Sequence, residues 1–234
     1  MTAATPPLLV EITGVAGSGK STLTRRLSQS IEGAAVGGFI HARKPAHLAS
    51  IARAMPRLSR MLAANVVRTP RLSWPDVKLL VYVTEWDRIL RRAPDGRAVT
   101  LLDQGPVYAL VRLRAQGRGV TRTGSFSRWW DRALDRWAGE LDTVVYLDAP
   151  DEVLFDRINR RDQPHRTKGG SYAAGIEFIE LYRRLFEEVL SRLDAHGGPR
   201  IVRVDTGSTS QDAVAAELDG VLSERRVAGR EAAS

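Results

Sequence analysis

The chain has 234 residues, 43% of them hydrophobic and 26% charged, and carries a formal net charge of +8. That length suffices for one well-buried domain, 1–234, and is too short for two ordinary ones. No cysteine is present, which excludes a disulfide framework, a thiolate metal site and a catalytic thiol, and His41, His47, His165 and His196 lack the spacing of a metal cluster.

The N-terminal stretch MTAATPPLLVEIT has neither a basic start nor a long apolar run, and no segment approaches the roughly 20 apolar residues of a membrane span. A cytoplasmic protein with no transmembrane segment is expected. LLVEIT (8–13) predicts the first strand; after a glycine-rich turn, KSTLTRRLSQSI (20–31) places Leu23, Leu27 and Ile31 at helical spacing. VGGFI (36–40) is a weaker second strand. HLASIARAMPRLSRMLAANVV (47–67) is helical in composition but interrupted at Pro56, and PDVKLLVYVTEWDRILRR (75–92) predicts a clearer helix. AVTLLD (98–103) is the third strand, followed by helices over 107–116 and SFSRWWDRALDRWAGEL (125–141). TVVYLDA (143–149) is the fourth strand, and PDEVLFDRINRR (150–161) opens with a helix-starting proline and acids in its first turn. GIEFIELYRRLFEEVLSRL (175–193) repeats Ile176, Ile179, Leu181, Leu185, Val189 and Leu193 as an amphipathic helix. RIVRVD (200–205) is the fifth strand, 210–226 the closing helix, and VAGREAAS (227–234) a frayed tail. Strands alternating with helices predict an α/β three-layer sandwich on a central five-stranded parallel sheet.

The strongest signal is GVAGSGKS, Gly14, Val15, Ala16, Gly17, Ser18, Gly19, Lys20 and Ser21, with Thr22 following. It matches G-x-x-x-x-G-K-[ST] between a predicted strand and a predicted helix, the P-loop of nucleotide-binding proteins. The glycines let the backbone turn its N–H groups toward phosphate oxygens, the helix N-terminus adds positive potential, Lys20 reaches the β and γ phosphates, and the Ser21 hydroxyl ligates Mg²⁺. ATP and Mg²⁺ are the cofactors this implies, with GTP left open in place of ATP. Asp103 ends an apolar strand, where a carboxylate beside a P-loop binds the metal or accepts a proton. The alternative is that an aspartate before Gly-Pro merely forms a turn. Arg157, Arg160, Arg161 and Arg166 cluster in a polar stretch with Pro164, Gly169 and Gly170, an arginine-rich lid over about 160–172 that could close over the nucleotide.

The order of motifs resembles the thymidylate kinase and deoxynucleoside kinase group of P-loop kinases. FIHARKP (39–45) looks like the segment after their second strand, and LLVYVTEWDRIL (79–90) like their acceptor-lining helix. VTLLDQGP looks like their strand ending in Asp-Arg, YLDAPDEVLFDRINRRDQPHR like their strand, helix and lid, and IVRVDTGSTSQDAVAAEL like their last strand and adenine-side loop. The resemblance implies a P-loop NTPase sandwich with a helical acceptor-binding region over about 43–92, and phosphoryl transfer in which Lys20, Asp103, Arg157, Arg161 and Arg166 take part. It also directs attention to Arg43, Lys44, Glu85, Trp86, Arg88, Gln104 and Tyr108 as the acceptor wall. Trp86 and Tyr82 share a helix with Glu85 and Arg88, and such rings serve either to hold a base or sugar or to fill the core.

Two positions depart from the family pattern. Lys44 stands before Pro45 where deoxynucleoside kinases carry a glutamate general base, and Gln104 follows Asp103 where the family has arginine. With Arg43 and Lys44 the acceptor side becomes cationic, which favours an acceptor bearing a phosphate or carboxylate over a neutral nucleoside. The expected function is transfer of the γ-phosphoryl of ATP to a small anionic acceptor. A P-loop hydrolase or regulatory NTPase is the first alternative; a kinase for a nucleoside, sugar or lipid-like hydroxyl is the second. The basic stretch ARAMPRLSRMLAANVVRTPR (52–71) belongs to the acceptor region or lies on an anionic membrane. No nucleic-acid-binding motif appears, so nucleic acid is not an expected partner, and a homodimer is left open.

Overall fold

The computed structural model describes residues 7–37, 45–66, 74–90, 98–116, 121, 123–162, 167–195 and 197–231. Five strands alternate with helices: β1 (Leu8–Gly14), α1 (Lys20–Ser30), β2 (Ala34–Gly37), α2 (Pro45–Val66), α3 (Trp74–Leu90), β3 (Val99–Asp103), α4 (Pro106–Gln116) and α5 (Gly124–Glu140). There follow β4 (Thr143–Asp148), α6 (Asp151–Arg160), α7 (Tyr172–Ala195), β5 (Arg200–Asp205) and α8 (Gln211–Glu231). The sheet order is β2-β3-β1-β4-β5, and every pair is parallel. The expected α/β sandwich is the fold that the chain adopts.

Parallel strands buried on both faces need apolar side chains in both directions, and period-two alternation sorts them into two cores. Val10 and Ile12 of β1, Val99 and Leu101 of β3, and Val145 and Leu147 of β4 face α1 and α8, where Leu23, Leu27, Val214, Leu218 and Leu222 cover them. Leu102, Val144 and Tyr146 face the opposite way, into a larger core built with α2 to α7. Alternation also sends Glu11, between Val10 and Ile12, toward that larger core, where it is fully buried.

Three expectations shift. The second strand starts at Ala34, not 36, and its expected end at 38–40 lies outside the described residues. Pro56 does not interrupt α2, which runs through it from Pro45 to Val66. An interior proline costs about 3 kcal/mol through a lost hydrogen bond and ring clash; here Ala54, Leu58 and Met61 on the buried face hold the helix against α3, while Pro56 is exposed. The closing helix runs to Glu231, so 227–231 is helical and not a frayed tail; Arg225, Arg226, Ala228, Arg230 and Glu231 are good helix formers.

Tyr82 and Trp86 pack in an edge-on pair with ring centroids 4.7 Å apart, and Trp86 meets Trp137 at 6.5 Å. Both rings are core, which corrects the reading of them as walls for a base or sugar. Trp137 and Trp130 are likewise buried, their indole N–H groups donating to Val83 O and Leu110 O. Among the described residues no helix is long and apolar enough to cross a membrane.

Candidate active site

The C-terminal ends of β1, β3 and β4 lie side by side, and three loops leave them into the crevice where ligands bind in sheets of this kind. The loop from β1 is Gly14 to Gly19. Gly14 has a φ of 144°, and a Cβ there would lie 2.0 Å from the backbone oxygen of Leu147 on β4, its register partner, so only glycine lets the chain turn off the strand at this point. Gly19, also at positive φ, opens α1 without a side-chain cap, and its carbonyl accepts from the N–H groups of Thr22 and Leu23. Ser18 and Lys20 are buried, Ala16 and Thr22 half-buried, and Ser21 exposed.

Lys20 turns back over its own loop and donates from Nζ to Val15 O at 2.9 Å. Burial pulls its ammonium down to about 8, with Asp103 opposing that shift and Arg161 adding to it. Lys20 is thus the meeting point of the loop, the tip of β3 and the basic end of α6. Asp103 is half-buried at that tip, and its Oδ1 is buried without a hydrogen-bond partner among the described residues. A carboxylate oxygen left open beside a buried ammonium, with the exposed Ser21 hydroxyl on the first turn of α1, is a hard oxygen donor set of the kind Mg²⁺ takes.

On the other flank a cavity of about 570 Å³ is lined by Gly17, Gly19, Thr22, Arg157, Arg161 and Gln211, among others. Its floor is the phosphate loop, its wall α6 and its far edge the N-terminus of α8. Arg157 donates to Thr206 Oγ1 at 3.1 Å and Thr206 O at 2.9 Å, which fastens it to the loop after β5. Arg161, at the C-cap of α6, is exposed, and Lys168 donates to its carbonyl. Arg183 of α7 clasps Asp148 (2.7 and 3.2 Å), Ala149 O (3.1 Å) and Asp151 (2.6 Å), tying α7 to the tip of β4 and the start of α6.

The structure thus gathers the loop residues, Lys20, Asp103, Arg157 and Arg161 around one crevice. Arg43, Lys44 and Arg166 lie outside the described residues. Gln104 follows Asp103 with φ 62°, the one described non-glycine residue in the left-handed region, and its N–H donates to Ile12 O at 3.2 Å. Tyr108 is half-buried on the first turn of α4, and Arg88 is exposed. Glu85 is buried under α2, its carboxylate held by Arg57 at 2.9 Å and Arg53 at 3.5 Å. It therefore meets a ligand only through those guanidiniums. Sequence reasoning missed Arg183, which carries no local signal, and Glu11, whose one signal is a carboxylate in an otherwise apolar strand.

The chain is 26% identical over 222 residues to a protein of Aeropyrum pernix provisionally assigned as a thymidylate kinase, covering 93% of this chain and 94% of that relative. No family model matches. Among solved structures, thymidylate kinase from Candida albicans superposes with a TM-score of 0.59 at 17% identity, covering 94% of this chain and 92% of that one. Deoxyadenosine kinase from M. mycoides with bound dATP gives a TM-score of 0.53 at 15% identity, covering 92% and 99%. The resemblance seen in the motifs therefore extends along nearly the whole chain, and the sheet with its phosphate loop is the fold that these kinases share.

Proposed function

We propose that this chain is a P-loop phosphotransferase of the thymidylate kinase-like group and moves the γ-phosphoryl group of ATP onto a small, anionic, nucleotide-like acceptor. The observation that carries the reading is the electrostatic coupling of the buried Lys20 of the phosphate loop to both Asp103 and Arg161, with Asp103 Oδ1 buried and without a hydrogen-bond partner among the described residues. The sequence relative supports the reaction class along most of the chain.

In-line phosphoryl transfer asks little covalent chemistry of a protein and much positioning and charge neutralisation. The backbone N–H groups of the Gly14–Ser21 loop cradle the phosphates, and Lys20 leaves Val15 O to reach the β and γ oxygens. Ser21 and Asp103 would hold Mg²⁺, which would supply charge neutralisation for the transferring phosphoryl group. Arg161, being exposed and electrically coupled to Lys20, is the lid residue best placed to swing onto the transferring group. Arg166 is proposed for the same task from the family pattern. Arg157, already engaged with Thr206, is assigned to the base side of the cavity. The acceptor enters from the β3 flank, past Gln104 and Tyr108, where the guanidiniums of Arg53 and Arg57 favour an anion; Arg43 and Lys44 are proposed for the same task from the sequence alone.

A hydrolase or switch needs a second group to polarise water, and β3 offers one carboxylate at its tip, so nothing in the site favours it. The test is coupled ATP consumption against a panel of deoxynucleoside monophosphates, deoxynucleosides and sugar phosphates. Acceptor-dependent turnover with a monophosphate is expected. ATP consumption indifferent to every acceptor would sink the proposal.

A further inference from the structure

We propose that Glu11 is a positioning residue for the acceptor half of the site, a role that rests on the phosphotransfer reading. The case begins with a missing cap. α4 opens with Pro106, which has no N–H, after Gly105, which has no side chain with which to cap the helix. The N–H groups of Val107 and Tyr108 would then be buried or half-buried without an acceptor. Instead they donate to Glu11 Oε2 and Oε1, both at 2.8 Å, from a strand about a hundred residues upstream.

The approach is close on every side. A Cβ on Gly105 would lie 2.6 Å from Glu11 Oε2, and the next residue of β1, Ile12, accepts from the N–H of Gln104. One short stretch of β1 therefore holds the left-handed residue, the glycine and the first turn of α4 together. A serine or aspartate at 105 would cap α4 locally, at less cost than a carboxyl group with no exposure at all. What the distant carboxyl group adds is mechanical. β1 runs from Glu11 directly into the phosphate loop at Gly14, so Glu11 references the turn bearing Asp103, Gln104 and Tyr108 to the loop that holds the donor phosphates.

The experiment measures MgATP affinity by calorimetry and the kinetics of thymidine 5′-monophosphate phosphorylation in wild type, Glu11→Gln and Gly105→Ala. Glu11→Gln preserves volume but turns an NH₂ toward one of the two amides; Gly105→Ala pushes on the same contact from the other side. Misplacement of reacting groups by about 1 Å costs about 10²-fold, so kcat/KM for the acceptor should fall by about that factor while the MgATP dissociation constant moves less than about threefold. Having two variants keeps the test decisive if one fails to fold. Parallel loss of ATP binding and acceptor turnover, or a loss of under about twofold in the folded variants, overturns the role. If wild type phosphorylates no acceptor of the panel, the phosphotransfer reading fails. The positioning role then falls with it, and faster amide exchange at Val107 and Tyr108 in Glu11→Gln would show only that Glu11 caps α4.

Discussion

Glu11 also makes a prediction about stability and pH. Burial pushes its carboxyl up to about 8, against the hydrogen bonds from Tyr108 and Val107 that pull it down, whereas a solvated glutamate titrates near 4.5. The folded chain therefore keeps a proton that the unfolded chain releases. This contribution to stability is complete below about pH 4.5 and is lost as pH rises toward about 8. Within that window each pH unit removes up to about 1.4 kcal/mol, or on the order of 4 to 5 kcal/mol across it. That is comparable with the whole folding free energy of many domains. Glu11→Gln removes the titration and loses one acceptor. Urea unfolding of both proteins at about pH 5.5, 6.5 and 7.5 isolates the group, because every other carboxylate is common to the two. The variant should start out less stable and gain on wild type by about 1 kcal/mol per pH unit. A stability difference that stays constant over the range would refute the reasoning.

Lys20, pulled down to about 8, must be protonated to meet ATP phosphates, so MgATP affinity should fall by up to about tenfold per pH unit above that value. Titration calorimetry from about pH 7 to 9.5 checks this, and Lys20→Ala should abolish phosphoryl transfer outright. Gly14→Ala sets a Cβ against the Leu147 backbone oxygen, and should cost at least about 3 kcal/mol in thermal unfolding or displace the loop enough to abolish ATP binding. Thr123 caps α5 by accepting from the Phe126 N–H at 3.3 Å, so Thr123→Ala should cost about 0.5 to 2 kcal/mol of stability with turnover unchanged.

What could be read from the sequence was what is encoded locally. The phosphate loop is contiguous, its glycines are fixed by backbone geometry, and its flanking strand and helix announce themselves by periodicity. The apolar strands and the amphipathic α7 were legible for the same reason. Asp103 was legible because a strand must end somewhere, and Gly-Pro marks the end. Pro56 misled because local propensity disfavours proline in a helix, while the packing of Leu58 and Met61 outweighs it. Tyr82 and Trp86 fit either role until Trp137, some fifty residues away, closes over them. Glu11 and Arg183 were illegible because each acts on partners brought by other elements: a helix N-terminus in one case, two aspartates at a strand end in the other.

The place of β1 at the middle of the sheet has a consequence for how far a substitution reaches. On its β3 side lie Asp103, Gln104 and the helices between β2 and β3; on its β4 side lie α6, α7, Thr206 and the cavity. At the site the two flanks meet at the central strand and its loop, while behind it α4 and α5 pack directly against α7, with Arg114 paired to Glu188 and Arg192 to Asp131. A substitution at the tip of β3 can therefore reach the β4 flank by two routes, through the phosphate loop and through the packing of α4 on α7. Gln104, in its left-handed turn directly after Asp103, stands at the start of both routes.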